Sequence, residues 1–129
     1  MIIGFGSDII DNRRIKKTLD RFGLKFKNRC FCINEIQNFE NRHQKVNFFA
    51  KRFAAKEACA KALGTGFAKG VFWKDIEIAN NTDGKPYILL HNKALSIVKN
   101  ITKSKYKIEV SLSDESDYSI ANVIIFNVK

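Results

Sequence analysis

A single α+β domain is what this sequence predicts, on three observations. An Ala-, Lys- and Phe-rich helical pattern runs from about Val46 to Leu63. Segments near both ends of the chain alternate or run apolar as strands do, and NNTDGKP, at residues 80–86, offers hairpin turn chemistry between two such segments. The 129 residues, 45% hydrophobic with eleven Phe and one Pro, suit one folded core. A chain of this size buries roughly two thirds of its unfolded surface.

Taken in order, Ile2 to Ile10 is short and β-branched and runs into Asp11 and Asn12, both good helix N-cap types. Alternation puts Gly4, Gly6 and Asp8 on one face, leaving room there for something bulky to approach. The helix that follows, about Arg13 to Phe22, buries Ile15, Leu19 and Phe22 by spacing and stops at Gly23. A separate face of it carries Arg14, Lys17 and Arg21, a basic stripe that any solvated helix could show. Residues Leu24 to Lys45 are poorly periodic, with a short helix around Asn34 to Asn41 between loops. The Val46–Leu63 helix stops at Gly64. Trp73 to Ala79 and Tyr87 to Leu90 form a hairpin. A helix over about Asn92 to Thr102 spaces Leu95, Val98 and Ile101 for burial, and Lys107 to Ser113 alternates as a strand. The last strand, SIANVIIFNV, is apolar on both faces, so one face meets a helix and the other meets more protein, such as another copy of the chain.

The net charge of +10 is uneven, because residues 1–64 hold fourteen Lys and Arg against six acids. Such a field attracts phosphates, nucleic acid, anionic membrane or an acidic protein. Neither a helix-turn-helix signature nor an RNA-binding aromatic strand motif accompanies it, which disfavours a nucleic-acid-binding module. Cys30, Cys32 and Cys59 lack a second metal-spaced pair and read as reduced thiols of a cytoplasmic protein. The opening residues have no basic leader and carry Asp8 within the apolar run, so neither a signal peptide nor a membrane span fits.

Two carboxylates stand out. Glu57 lies four residues before Lys61, and the two form either an ordinary helix ion pair worth about 0.2–0.5 kcal/mol or part of a site. The small neighbours Ala54, Ala55, Ala58 and Ala60 let another element or a ligand come close, and Lys56 is open to ligand or solvent. After them, Gly64-Thr65-Gly66 offers backbone N–H groups and, with Lys61, a phosphate cradle. Asp8 is unusual in an apolar strand, where an unpaired charge is costly. It caps the next helix, pairs with an Arg, or joins Glu57 in holding Mg²⁺, which favours oxygen ligands and keeps waters and substrate phosphates in its shell.

From residue 1 to about 126, GFGSDIIDNRRI, FFAKRFAAKEACAKALGTG, WKDIEI with DGKPY, and VSLSDE resemble, block by block in order, the holo-[acyl-carrier-protein] synthase family, small 4′-phosphopantetheinyl transferases of bacterial fatty acid synthesis. The resemblance implies a phosphopantetheinyl transferase-like fold, an antiparallel sheet packed on a long central helix, assembled as a homotrimer with sites between protomers. It implies transfer of phosphopantetheine from coenzyme A to a serine of an apo acyl carrier protein, releasing adenosine 3′,5′-bisphosphate. Asp8 and Glu57 match the family's Mg²⁺-binding carboxylates, and Glu57 is the candidate to accept the serine proton, directly or through a metal-bound water. Arg52, Lys61, Gly64, Thr65 and Gly66 match coenzyme A contacts. Gly84, Lys85 and Pro86 match a turn that, with the SLS segment, reaches the nucleotide from a neighbouring subunit. The stripe Arg14, Lys17 and Arg21 gains an acidic carrier protein as its candidate partner. A carrier from polyketide or peptide assembly is the alternative acceptor, although such relaxed relatives are typically about twice this length. One position departs from the family: Asp114 follows Ser113 where a histidine is common, and a carboxylate there repels coenzyme A phosphates unless a metal or lysine intervenes.

Overall fold

The opening strand forms as the sequence predicts, and its partner is the last strand of the chain. In the computed structural model, which describes residues 1–39 and 45–128, the order of elements is β1 (Ile2–Asp11), α1 (Asn12–Phe22), α2 (Leu24–Cys30), α3 (Ile33–Phe39), α4 (Lys45–Ala62), β2 (Ile76–Asn80), β3 (Pro86–Leu90), α5 (Asn92–Ile101), β4 (Lys105–Asp114) and β5 (Tyr118–Val128). A 3₁₀ turn, Trp73–Asp75, leads into β2 where the sequence suggests strand from Trp73. β1, β5 and β4 make an antiparallel sheet in that order, with Gly6 opposite Val123 and Val110 opposite Val123 on the other side. β2 and β3 form the separate hairpin.

The sheet's inner face, Ile10, Val110, Ala121, Val123 and Ile125, is buried together with Ala54, Ala55, Ala58, Cys59 and Ala62 of α4. Glycines in β1 make this approach possible. A Cβ on Gly6 would lie 1.8 Å from the carbonyl oxygen of Ala58, and one on Gly4 would lie 2.1 Å from that of Ala62. The room beside Gly4 and Gly6 is therefore filled by the backbone of α4 and is not open to a ligand.

Helix α1 starts on Asp11, whose side chain accepts from the Arg13 N–H, and ends on Gly23, at φ 50°. Ile15 is buried but Phe22 is half exposed, because the chain turns at Gly23 before the last residue of the helix reaches the core. The seven residues of α2 are the element that periodicity misses; Phe26, Cys30 and Phe31 turn inward from it and after it. Helix α3 begins at Ile33, near the expected Asn34; the expected end, at residues 40 and 41, lies outside the described residues. In α5, Ala94 and Val98 are buried and Ile101, the last residue, is largely exposed, contrary to its spacing. The hairpin turn is held by Asn81, whose Oδ1 accepts from the N–H groups of Asp83 and Lys85, both at 2.9 Å, with Gly84 at φ 84°.

Beneath α4, buried Lys56 donates to Glu35 Oε1 at 2.7 Å, to Trp73 O at 3.1 Å and to Ile76 O. Lys56 thus faces neither ligand nor solvent. It ties α4 to α3 and to the start of β2, and Glu35 Oε1 also accepts from the Cys32 N–H. No helix among the described residues is long and apolar enough to cross a membrane.

Candidate active site

Two residues beyond Gly6 on the same face, Asp8 arrives at the edge of α4 where Glu57 projects, and the close glycine contact sets that spacing. The Asp8 side chain is 11% exposed and lies 3.0 Å from Lys61 Nζ, which also donates to Ser7 O at 3.0 Å. Lys61 pairs across to β1, the cap of α1 is Asp11 and not Asp8, and among the described residues Asp8 pairs with no Arg. Glu57 is half-buried. Burial first, and then the Asp8 carboxylate beside it, raise its pKa, against the opposing pull of Lys61 and Arg14. A raised carboxylate beside a second carboxylate is a place that gains from a cation. Two oxygen donors on separate elements suit a hard divalent ion that takes its other ligands from water and phosphate. Among the described residues no group of three or more His, Cys, Asp and Glu is arranged to hold a metal ion.

Gly64-Thr65-Gly66 follows directly, but its amides are committed. The N–H of Gly64 donates to Lys61 O, and those of Thr65 and Gly66 donate to Ala60 O, closing the end of α4. In this structure the turn is a helix terminus with Gly64 at φ 84°, not an open row of donors. Gly64 and Thr65 instead line a cleft of about 360 Å³ with Lys69, Lys93 and Ile97.

Arg52 lies elsewhere. It is nine positions before Lys61, about half a turn round α4 and about 13 Å along its axis. Its guanidinium donates to Asn80 Oδ1 and lies 3.6 Å from the centre of the Phe48 ring. Asn80 in turn donates to Gly84 O at 2.9 Å. A second cleft, of about 400 Å³, opens here between Arg52, Lys51, Gly84, Pro86 and Ser111. Lys85 points away from it, 3.3 Å from Glu109. The residues singled out in the sequence thus divide into two groups on opposite sides of one helix, Asp8, Glu57, Lys61, Gly64 and Thr65 against Arg52, Gly84 and Pro86.

Asp114 has the intervening lysine that its position demands: Lys51 Nζ lies 3.2 Å from it, and Asn47 donates to it at 2.8 Å. Neither Lys51 nor Asn80 was legible as a site residue. The charge of Asp114 was the available signal for a cation, with nothing to say which one. Arg14, Lys17 and Arg21 are all exposed on α1, and among the described residues no acid pairs with them; Arg14 is near enough to Glu57 to lower its pKa. Cys30, Cys32 and Cys59 are unpaired, and burial pushes the Cys59 thiol up to about 12.

A three-stranded sheet packed on one long helix, with a separate hairpin, is the fold of a known family. Residues 4–123 match the model of the 4′-phosphopantetheinyl transferase superfamily, and the chain belongs to it. More particularly, it is similar to holo-[acyl-carrier-protein] synthases. It is 47% identical over 127 residues to that of Azorhizobium caulinodans, covering 97% of this chain and 93% of the relative. The crystal structure of the Neisseria meningitidis holo-[acyl-carrier-protein] synthase superposes with a TM-score of 0.86 at 37% identity, covering 98% of this chain and 100% of that one. The Bacillus anthracis holo-(acyl-carrier-protein) synthase in complex with coenzyme A (3′,5′-ADP) gives 0.81 at 34% identity, covering 99% of each.

Proposed function

We propose that this chain transfers the 4′-phosphopantetheine group of coenzyme A to a serine of an apo acyl carrier protein, in the cytoplasm and in the service of fatty acid synthesis. The observation that carries the reading is the meeting of Asp8 from β1 with Glu57 from α4, beside Lys61. Asp8 and Glu57 would hold Mg²⁺, which when bound supplies charge neutralisation on the pyrophosphate and the leaving oxygen. Lys61, more than half exposed, can leave Asp8 for a phosphate oxygen. Glu57, half-buried beside Asp8, is the candidate to accept the proton of the serine hydroxyl. The serine Oγ–phosphorus bond forms at the β-phosphorus, the bond from that phosphorus to the bridging oxygen breaks, and adenosine 3′,5′-bisphosphate leaves with the electron pair. Arg14, Lys17 and Arg21 offer the acidic carrier a positive face on the Glu57 side of the molecule.

The reading includes assembly as a homotrimer with shared sites. The division of site residues between two sides of α4 supports it, because one coenzyme A cannot lie on both sides of one helix. So does the outer face of the sheet, where Phe5 and Ile9 are 60% and 62% exposed beside Ile120, more apolar area than a lone chain usually leaves in water.

Intact-mass spectrometry of apo acyl carrier protein incubated with the enzyme, coenzyme A and Mg²⁺ tests the reaction. A phosphopantetheine mass gain is expected, lost in Asp8→Ala, in Glu57→Ala and without metal. No gain on any carrier overturns the reaction, and a gain that survives Glu57→Ala overturns the role given to Glu57. Sedimentation tests the assembly, and a stable, active monomer would remove the shared site.

A further inference from the structure

Trp73, the single tryptophan of the chain, is pressed between two phenylalanines. Its ring stacks on Phe53 of α4 with centroids 4.4 Å apart and on Phe67 with centroids 3.8 Å apart, both with 22° between planes. Phe26 of α2 extends the column, 5.9 Å from Phe53. The Trp73 carbonyl accepts from buried Lys56 at 3.1 Å. Phe53 and Glu57 are one helical turn apart on one side of α4, and helical side chains lean over the preceding turn, so the stem of Glu57 leans toward Phe53. Phe67 arrives from the far end of the helix. The chain leaves α4 after Ala62, and the stack ties it to Phe53, more than two turns back. Residues 63–72 form neither helix nor strand and pass through left-handed backbone at Gly64, Gly66, Lys69 and Gly70. The stack, with Leu63 and Val71 buried on either side of it in sequence, anchors this loop to the core.

In the proposed function, on which this inference rests, a serine hydroxyl attacks the β-phosphorus of coenzyme A beside Glu57. Water is the rival nucleophile. Its oxygen would form the bond to the same phosphorus and its proton would pass to the same base. The bond to the bridging oxygen would break as before, releasing 4′-phosphopantetheine and adenosine 3′,5′-bisphosphate with no carrier modified. Glu57 is only half-buried, so a site that favours serine needs a wall that sheds water without polar groups to hold it. Rings stacked at this spacing leave no room for water between them. We propose that Trp73, clamped by Phe53 and Phe67 and fixed by Lys56, is a positioning residue that holds an aromatic wall beside Glu57 and so makes serine, not water, the acceptor. It acts through the two phenylalanines.

The test follows two products of one reaction, holo-carrier by intact mass and adenosine 3′,5′-bisphosphate by chromatography, with and without apo acyl carrier protein. The unaltered enzyme should release the bisphosphate in equal amount to holo-carrier, and little of it without carrier. Trp73→Leu and Phe67→Leu should lower carrier modification about tenfold or more, as misplaced reacting groups do, and raise bisphosphate release without carrier several-fold. Trp73→Phe, which keeps a flat ring in the stack, should restore most of the coupling. Phe67→Leu retains the tryptophan, whose emission should shift to the red as water reaches its ring, and this variant decides the matter if Trp73→Leu fails to fold. Equal amounts of both products in every variant, however slow, or a red shift with no gain in uncoupled release, overturn the wall and leave the transferase reading intact. An unaltered enzyme that modifies no carrier overturns both.

Discussion

Replacing Gly6 with Ala should disable the molecule through geometry alone. The added Cβ would stand 1.8 Å from the Ala58 carbonyl oxygen and 2.8 Å from the Ala62 nitrogen, both backbone atoms of α4. Backbone cannot step aside as a side-chain tip can, so β1 must retreat from the helix by well over an ångström, since packed heavy atoms do not approach much closer than the ~3.5 Å dispersion minimum. Overpacking of well-packed cores typically costs about 1–3 kcal/mol. With backbone on both sides we expect the upper end, about 3 kcal/mol, or a fall in Tm of roughly 10 °C for a domain of this size. Because Asp8 is two residues along the same strand, the retreat also draws its carboxylate from Glu57, and a misplacement near 1 Å can cost about a hundredfold in rate. Thermal denaturation by circular dichroism and the carrier mass assay read the two effects. A variant with unaltered Tm and full transfer would refute the claim that the β1–α4 contact sets the carboxylate pair.

Other perturbations test separate parts of the same argument. The folded chain binds the Glu57 proton more tightly than the unfolded chain, so this residue's contribution to stability falls as pH rises above the ordinary value near 4.5 and through the raised one. Glu57→Gln should therefore raise the Tm of the metal-free protein at pH 7, with little effect at pH 4, while abolishing transfer; a lower Tm at pH 7 would contradict the assigned cause. Lys56→Met leaves Glu35 buried without its cation and should cost about 3–5 kcal/mol in urea denaturation, whereas the double change Lys56→Met, Glu35→Leu should recover much of it. Reversing Arg14 and Arg21 to Glu should slow carrier association and flatten its dependence on salt, with coenzyme A affinity measured calorimetrically unchanged. Ile9→Glu, at an outward position of β1, should yield a folded monomer by sedimentation that no longer modifies carrier; an active trimer would place the interface elsewhere.

Much of this was readable in the chain because it rests on local pattern. The caps Asp11 and Gly23, the 18-residue run of α4 and the Asn81–Gly84 turn each announce themselves within a few residues. What was hidden depends on partners far away in sequence. Lys61 bonds to Asp8, 53 positions distant, so the helix spacing that joins it to Glu57 misdirects. Lys56 reads as facing either ligand or solvent until Glu35 is brought beneath it. Gly4 and Gly6 advertise a close approach, but a glycine cannot say whether a ligand or a helix makes it. The amides of Gly64 to Gly66 look available until the carbonyls of the preceding turn claim them.

The placement of Arg52 half a turn from Lys61 has a consequence for how such a small enzyme recognises a large substrate. Two clefts among the described residues, of about 400 and 360 Å³, lie at the small end of the range for ligand pockets. If each holds one anionic end of coenzyme A, neither end is held firmly by one chain, and the affinity comes from bringing the Arg52 side of one copy against the Asp8 side of another. The helix can serve both because the stretch of it that meets β1 is rich in alanine, with Ala58 and Ala62 packed on the strand's glycines. The apolar outer face of the sheet then supplies association energy that does not compete with the sites. Substrate binding and subunit assembly should accordingly be linked, coenzyme A favouring the assembled state over the free chain by its differential affinity for the two.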